Sequence, residues 1–489
     1  MIGNGDAFHL VGNGFVYQLL YAGLAIENRI LGVNMKRTAT LVLAVLVLAL
    51  TAAPAFADAP TVSEKKDVAI FALGYYGWNI PLETLGSIDM EIQKVFVDLG
   101  RFNILGVEQR LSSGGVSDFI AALKKAKEAN FVMPEKYQFG EAVLTEAEFN
   151  KLLGAFIVAT PVVTEFNSDY SSKDGKWETS IKTNVTFIDV SAGGSVLGIA
   201  EVKTSGSDKQ SQNESISNAI DAIPMQLQYE IRKIPAFQIN TRVLTSSGSE
   251  IKLQLGQNMG IKKGDEYSVI VGGTVEGFKD EREVGLVLIK DVGPEVSTGT
   301  VLYSSVSLAK DAQLREIPRI GFDAEPYFHL VSGTRLSVLY NGSEESGSNS
   351  VVGLRMPISR GFYDMRPFVS VQVPLNGIMN IGTVFMVPIC ATFGEEYNLR
   401  FGRLSLTPWA GIGGSYIYLS EAITGTNRDT SDTYLFHLGA QAYVSASYLV
   451  SRDMRIYAEA GGEYWLSLIQ WLYSNYGGVG FGAGVAFKL

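Results

Sequence analysis

YLFHLGAQAYVSASYLV, residues 434–450, alternates along its whole length. One face carries Phe436, Leu438, Ala440, Ala442, Val444 and Tyr448, and the other carries His437, Gln441, Ser445 and Ser447. A period of two, with one greasy and one wet face, marks a strand held between two unlike media. The run is also long. A tilted strand crossing a bilayer needs roughly 9–11 residues, whereas globular strands centre on about 5–6. The last run repeats the pattern, with Val479, Phe481, Ala483, Val485 and Phe487 set against Gly478, Gly480, Gly482 and Gly484.

Working outward, comparable runs lie near 325–340, 350–359, 366–375, 380–393, 402–419 and 454–468. Together they predict an antiparallel transmembrane β-barrel of about eight strands over residues 318–489. The connections alternate in kind: 341–349 and 420–432 are long and polar, whereas 361–365 and 451–453 are tight. Long outer loops and short periplasmic turns are the habit of outer-membrane barrels. Tyr416, Tyr418, Tyr434, Tyr448, Tyr464, Trp465 and Trp471 fall near run ends, as aromatic girdles would. A secreted β-sandwich is the alternative that also alternates.

The charged residues inside these runs predict a barrel lumen. Arg355, Glu459 and Glu463 fall on the wet face, with His437 and Gln441 beside them. Buried ions must be paired, so Arg355 is expected to bridge to Glu459 or Glu463. Glu459 and Glu463 are four strand residues apart, about 13 Å. That is too far for a glycosidase pair, which needs roughly 5–9.5 Å. His329 and His437 sit inside predicted strands, and nothing local suggests a histidine oriented by a carboxylate and touching a serine, so catalytic residues are expected to be none, and metal ligands none. GGVGFG (477–482) has dinucleotide-loop spacing but lies within a strand rather than opening a helix.

Upstream, residues 35–57 (MKRTATLVLAVLVLALTAAPAFA) read as a signal peptide, with Lys36 and Arg37 before an apolar core and a cleavage site at Ala55 and Ala57. Residues 1–34 are expected to be a mis-assigned start or an extension. The single cysteine, Cys390, rules out an internal disulfide and leaves none after the cleavage site to carry lipid. A net charge of −10 argues against nucleic acid as a partner.

Residues 58–235 read as α/β. Asp67–Leu73, Phe102–Val107 and Phe156–Val163 are apolar strand-like runs, followed by a hairpin of Thr179–Val190 and Val196–Thr204. Helical spacing appears at Leu85, Ile88, Ile92, Val95, Phe96 and Leu99, and a second helix opens at Ser117. Thr145 and Glu148 make a capping box, and a last helix through Ile216–Ile231 is expected to kink at Pro224. GRFNILGVEQR (100–110), GAFIVATPVV (154–163), NVTFIDVSAGGSVLGIAEV (184–202) and RKIPAF (232–237) resemble the curli assembly/transport (CsgG-like) domain. That resemblance implies a periplasmic module acting by protein–protein contact, often as an oligomer. The family is usually lipoprotein, and the lipid-bearing cysteine is missing here. Residues 236–317 read as a small all-β module around MGIKKGD (259–265) and resemble the C-terminal module of flagellar assembly protein T, which likewise follows a CsgG-like domain.

The sequence therefore predicts an α+β multidomain, non-enzymatic protein of the outer membrane, without cofactors and with its N-terminal domains in the periplasm. Expected partners are outer-membrane lipid, the barrel assembly machinery reading Phe487 and Leu489, unknown periplasmic proteins, and further copies of the chain. A transport or secretion oligomer is the alternative. A barrel enzyme would want histidine or clustered acids in the long loops, which hold no histidine.

Overall fold

The computed structural model describes residues 62–489 except 76–79, 111–112, 127–135, 140–141, 146, 148–156, 276–277, 338–343, 382–383, 420–434 and 469–472. The signal peptide expected at 35–57, with its cleavage residues Ala55 and Ala57, and the 420–432 loop lie outside the described residues.

The first sheet is made from β1 (Lys66–Ala72), β2 (Phe102–Arg110), β3 (Ile157–Ser171), β4 (Lys176–Asp189) and β5 (Ser195–Asp208), in the order β2-β1-β3-β4-β5. β1 runs parallel to both its neighbours, and β3 to β5 form an antiparallel meander. Helix α1 (Leu82–Leu99) buries Leu85, Ile88, Ile92, Val95, Phe96 and Leu99, the stripe its spacing predicts. It packs with α3 (Gln212–Asp221) and α4 (Ile223–Lys233) on the sheet face of Val68 and Ile70. Phe71 points the other way and meets Phe119 of α2 (Ser113–Ala126) at 5.3 Å between ring centroids.

Three sequence expectations change here, the first being that the second helix opens at Ser113 rather than Ser117. The third strand runs on to Ser171 instead of ending at Val163, because β4 pairs with it along almost its whole length. The last helix is two helices: Ala222 separates them and Pro224 sits in the first turn of α4, where its missing N–H costs nothing. Thr145 ends a short strand, Ala142–Thr145, and Glu148, Phe149 and Leu152 of the expected capping-box helix lie outside the described residues.

A small closed barrel follows: β6 (Asn240–Ser247), β7 (Glu250–Gln254), β8 (Glu266–Val275), β9 (Phe278–Val292), β10 (Val296–Ser304) and β11 (Gln313–Ile317). Its core holds Val243, Ile251, Leu253, Val269, Val287, Ile289 and Leu314. It docks closely on the α/β domain. Gly100 ends α1 at φ 66°, and a Cβ on Gly260 would fall 1.9 Å from the Leu99 carbonyl oxygen. Only glycine allows that approach.

The large barrel has β12 (Asp323–Thr334), β13 (Ser346–Pro357), β14 (Met365–Pro374), β15 (Val384–Tyr397), β16 (Leu404–Leu419), β17 (Leu435–Leu449), β18 (Met454–Ser467) and β19 (Tyr476–Lys488). All neighbours are antiparallel, and β19 pairs back onto β12 to close the ring. Closure disposes of the sandwich. The fourth run was expected at 380–393, but the strand continues through Gly394 to Tyr397; the Phe368 ring occupies the space where a Gly394 side chain would stand. The 341–349 loop is also shorter than expected. β13 already begins at Ser346, and buried Asn349 bonds the Leu336 N–H at 2.8 Å.

Candidate functional site

Strand alternation sends every charged side chain of the large barrel inward except one. Outward rows carry residues such as Phe328, Leu354, Val371, Phe393, Ile412, Val444, Ile456 and Phe481, all exposed. Glu395 is the sole charged residue on an outward row of the eight strands.

Inside, Arg355 lies on β13 and is 2% exposed. Its guanidinium reaches Glu325 Oε2 at 2.8 Å and Glu459 Oε2 at 3.3 Å, and lies 4.5 Å from the Trp409 ring centroid. Glu459 also accepts from Trp409 Nε1 at 2.9 Å and from the Ser445 hydroxyl, and its other oxygen meets His329 Nε2 at 2.6 Å. Above this layer Glu463 accepts from Gln441 at 3.0 Å and from Gln372 at 3.3 Å. Toward the end where the chain enters and leaves the barrel, Arg366 bonds Glu396 at 2.6 Å and Asp323 at 3.0 Å. Arg455 joins Asp323 and Glu325, each at 2.9 Å.

The sequence placed Arg355, His437, Gln441, Glu459 and Glu463 on the inner face, and all five are buried inside the barrel. Arg355 meets Glu459 and not Glu463. His437 stands apart from the ion layers: it meets the Ser474 carbonyl oxygen at 3.1 Å, with Tyr473 and Tyr476 around it. Sequence reading missed Asp323, Glu325, Arg366, Glu396 and Arg455. The alternation that located Arg355 also flags Asp323, Glu325, Arg366 and Arg455, since each lies between apolar or small residues; Glu396 follows another acid, Glu395, and needed the strand's true end at Tyr397 to be placed.

The glycines of β19 have their use here. A Cβ on Gly482 would strike the His329 ring, on Gly480 the Tyr443 hydroxyl, and on Gly484 the Tyr457 ring. The space left among Glu325, Arg355, Arg366 and Glu396 is about 10 Å³, at most the room of a single water molecule. Chemically the lumen is a packed ion network. His329 and Ser445 both bond Glu459, so the histidine does not stand between serine and acid as nucleophilic catalysis requires. Among the described residues no group of three or more His, Cys, Asp or Glu side chains could hold a metal.

A second ionic cluster ties the three parts together. Glu316 at the end of β11 is clamped by Arg101 from β2's approach (2.8 Å) and by Arg232 of α4 (2.7 Å). Burial alone would raise its pKa, but the two guanidinium groups hold it well below the ordinary carboxylate range. Arg232 extends to Asp265 at 3.4 Å, and Asp265 accepts from Arg360, in the turn between β13 and β14, at 2.9 Å. Phe487 and Leu489 are partly exposed at the closing seam, where the Ile320 N–H donates to the Leu489 carbonyl at 2.8 Å.

No family model matches this chain, and no curated protein matches it. Among solved structures, the Neisserial surface protein A shares 13% identity and a TM-score of 0.25, covering 35% of this chain and 97% of its own. Ail, the attachment invasion locus protein of Yersinia pestis, in complex with a heparin analogue, shares 12% identity and a TM-score of 0.23, covering 35% and 99%. The N-terminal β-barrel domain of Pseudomonas aeruginosa OprF shares 13% and 0.20, covering 35% and 98%.

Proposed function

We propose that this is a non-enzymatic outer-membrane barrel protein that holds a periplasmic protein-binding module in a fixed pose against the membrane. The observation that carries the reading is the outer wall of the large barrel, apolar on every strand with a single charged exception. An apolar wall around a polar, filled interior inverts a soluble protein and suits lipid. The α/β domain, resembling CsgG-like modules, is the binding part. The Arg101–Glu316–Arg232–Asp265–Arg360 chain supports the fixed pose, since its charges are buried and drawn from all three parts. Phe487 and Leu489 serve as the strand end read by the barrel assembly machinery.

Epitope accessibility tests it. A tag inserted after Gly342, between β12 and β13, is expected to be labelled on intact cells. A tag after Lys173, in the β3–β4 turn, is expected to react only once the outer membrane is permeabilised. The reverse pattern, or recovery of the folded protein in a carbonate-soluble fraction, overturns the reading.

A further inference from the structure

The hairpin that joins β15 to β16 reaches beyond the large barrel and touches the small one. Its tip, Leu399–Phe401 paired on Leu404–Leu406, presents Arg400 and Arg403 to a cavity of about 50 Å³ between the two barrels. That is room for roughly three or four waters, the number of oxygens a phosphate group would place there.

The cavity is unevenly charged. Two acids line it, Glu266 and Asp323, and both are already engaged. Glu266 holds Arg319 at 3.0 Å and also Lys488; Asp323 holds Arg366 at 3.0 Å and Arg455 at 2.9 Å. Those four cations draw further on Asp453, Glu396 and Glu325. Arg400 and Arg403 do not share in this. Arg403 bonds only main-chain oxygens, Leu449 O at 2.9 Å and Val450 O at 3.5 Å, and has no carboxylate partner among the described residues. Arg400 has the Tyr363 carbonyl at 2.7 Å and a long contact of 3.4 Å to the half-exposed Asp364.

Both guanidinium groups also lie over aromatic rings. Arg403 lies 3.7 Å from the centroid of Tyr303, on β10 of the small barrel, and Arg400 lies 4.6 Å from that of Tyr363. The Tyr363 hydroxyl is pinned in turn to Thr300 at 2.6 Å. Stacking fixes a guanidinium without using its in-plane N–H groups. Two pre-positioned forks with little counter-charge, facing a small cavity, make an oxyanion receptor, since planar forks match phosphate oxygens two at a time.

We propose that this seam binds a phosphate group, which completes the charge of Arg400 and Arg403 and braces the two barrels together. Two sources share that chemistry. Phe401 and Leu404, beside the two arginines, are 68% and 57% exposed, so a phospholipid headgroup could sit at the arginines with its chains along those residues. The lipid source rests on the membrane reading above; the phosphate chemistry does not.

The test uses the full chain, refolded in a phosphate-free non-ionic detergent. Inorganic phosphate, or separately a short-chain phosphatidylglycerol, is titrated against chloride at matched ionic strength while thermal unfolding is followed. The Arg400→Gln/Arg403→Gln double variant runs alongside, with heat-modifiable gel mobility reporting that its barrel is folded. A rise in midpoint that needs about tenfold or more ligand in the double variant supports the site, one charge-assisted contact corresponding to that factor. A shift with inorganic phosphate assigns a free anion, and one with the lipid alone assigns the headgroup. If neither ligand moves the midpoint, or both proteins respond alike, the proposal is wrong, whatever the epitope experiment finds. Should the double variant not fold, Arg403→Gln alone serves, because its guanidinium touches no carboxylate.

Discussion

Glu459 is a carboxylate buried inside the barrel, reached by Arg355, Trp409, His329 and Ser445. Removing the cation alone leaves Glu459 without its arginine, while Glu325 keeps only Arg455. Arg355→Met is therefore expected to cost about 3–5 kcal/mol, as breaking a buried pair from one side does. Adding Glu459→Gln should recover part of the loss, and reversible urea unfolding in detergent measures both. Full additivity of the two changes would show that they are not coupled. At the junction, the sign for Glu316 follows from its lowered pKa. The contribution is fully present above the unfolded value of about 4.3 and is lost as pH falls through the folded value. The docking of the three parts should thus hold from pH 7 to 5 and weaken only in stronger acid. Glu316→Gln should remove that acid slope and leave the α/β domain easier to release by limited proteolysis at neutral pH, because Arg101 and Arg232 lose their shared partner.

At the scale of the element, β19 joins closure to packing. It pairs with β12 on one side and β18 on the other, and its glycines make room for His329, Tyr443 and Tyr457. Phe487 pairs with Ala324 and Met454 at the end of this strand, pointing outward. Phe487→Ala is expected to lower the amount of protein reaching the outer membrane several-fold while leaving the purified, refolded barrel closed. Membrane fractionation and heat-modifiable mobility separate the two effects. Normal membrane levels after deleting Phe487–Leu489 would discard the assembly role. Strand limits were less legible than strand existence. Gly394 reads as a stop but continues β15, because the Phe368 ring stands in for its missing side chain. Likewise the polar SGSN at 346–349 reads as loop and is strand, since Asn349 satisfies the main chain of Leu336 and Thr334 from inside.

For the whole molecule, an eight-stranded ring encloses only enough space for its own side chains, and here they fill it down to about 10 Å³ beside Arg355. The purified protein in a planar bilayer is expected to conduct little or nothing. A steady, large, ohmic current would show that the lumen opens and would return the transport reading to first place.

The sequence by itself determined long alternating strands, about eight of them, and the inward sense of Arg355, Glu459 and Glu463, because alternation is a local property; that the sheet closes on itself was decided by the pairing of β19 with β12. It could not decide which ions meet. Partners such as Arg355 and Glu459, or Arg101 and Glu316, lie 104 and 215 residues apart. Pairing depends on the register between strands and on how three compact parts dock. Only the tertiary structure brings Arg400 and Arg403 to a seam with the small barrel, since no periodicity within their own hairpin records what stands across from it.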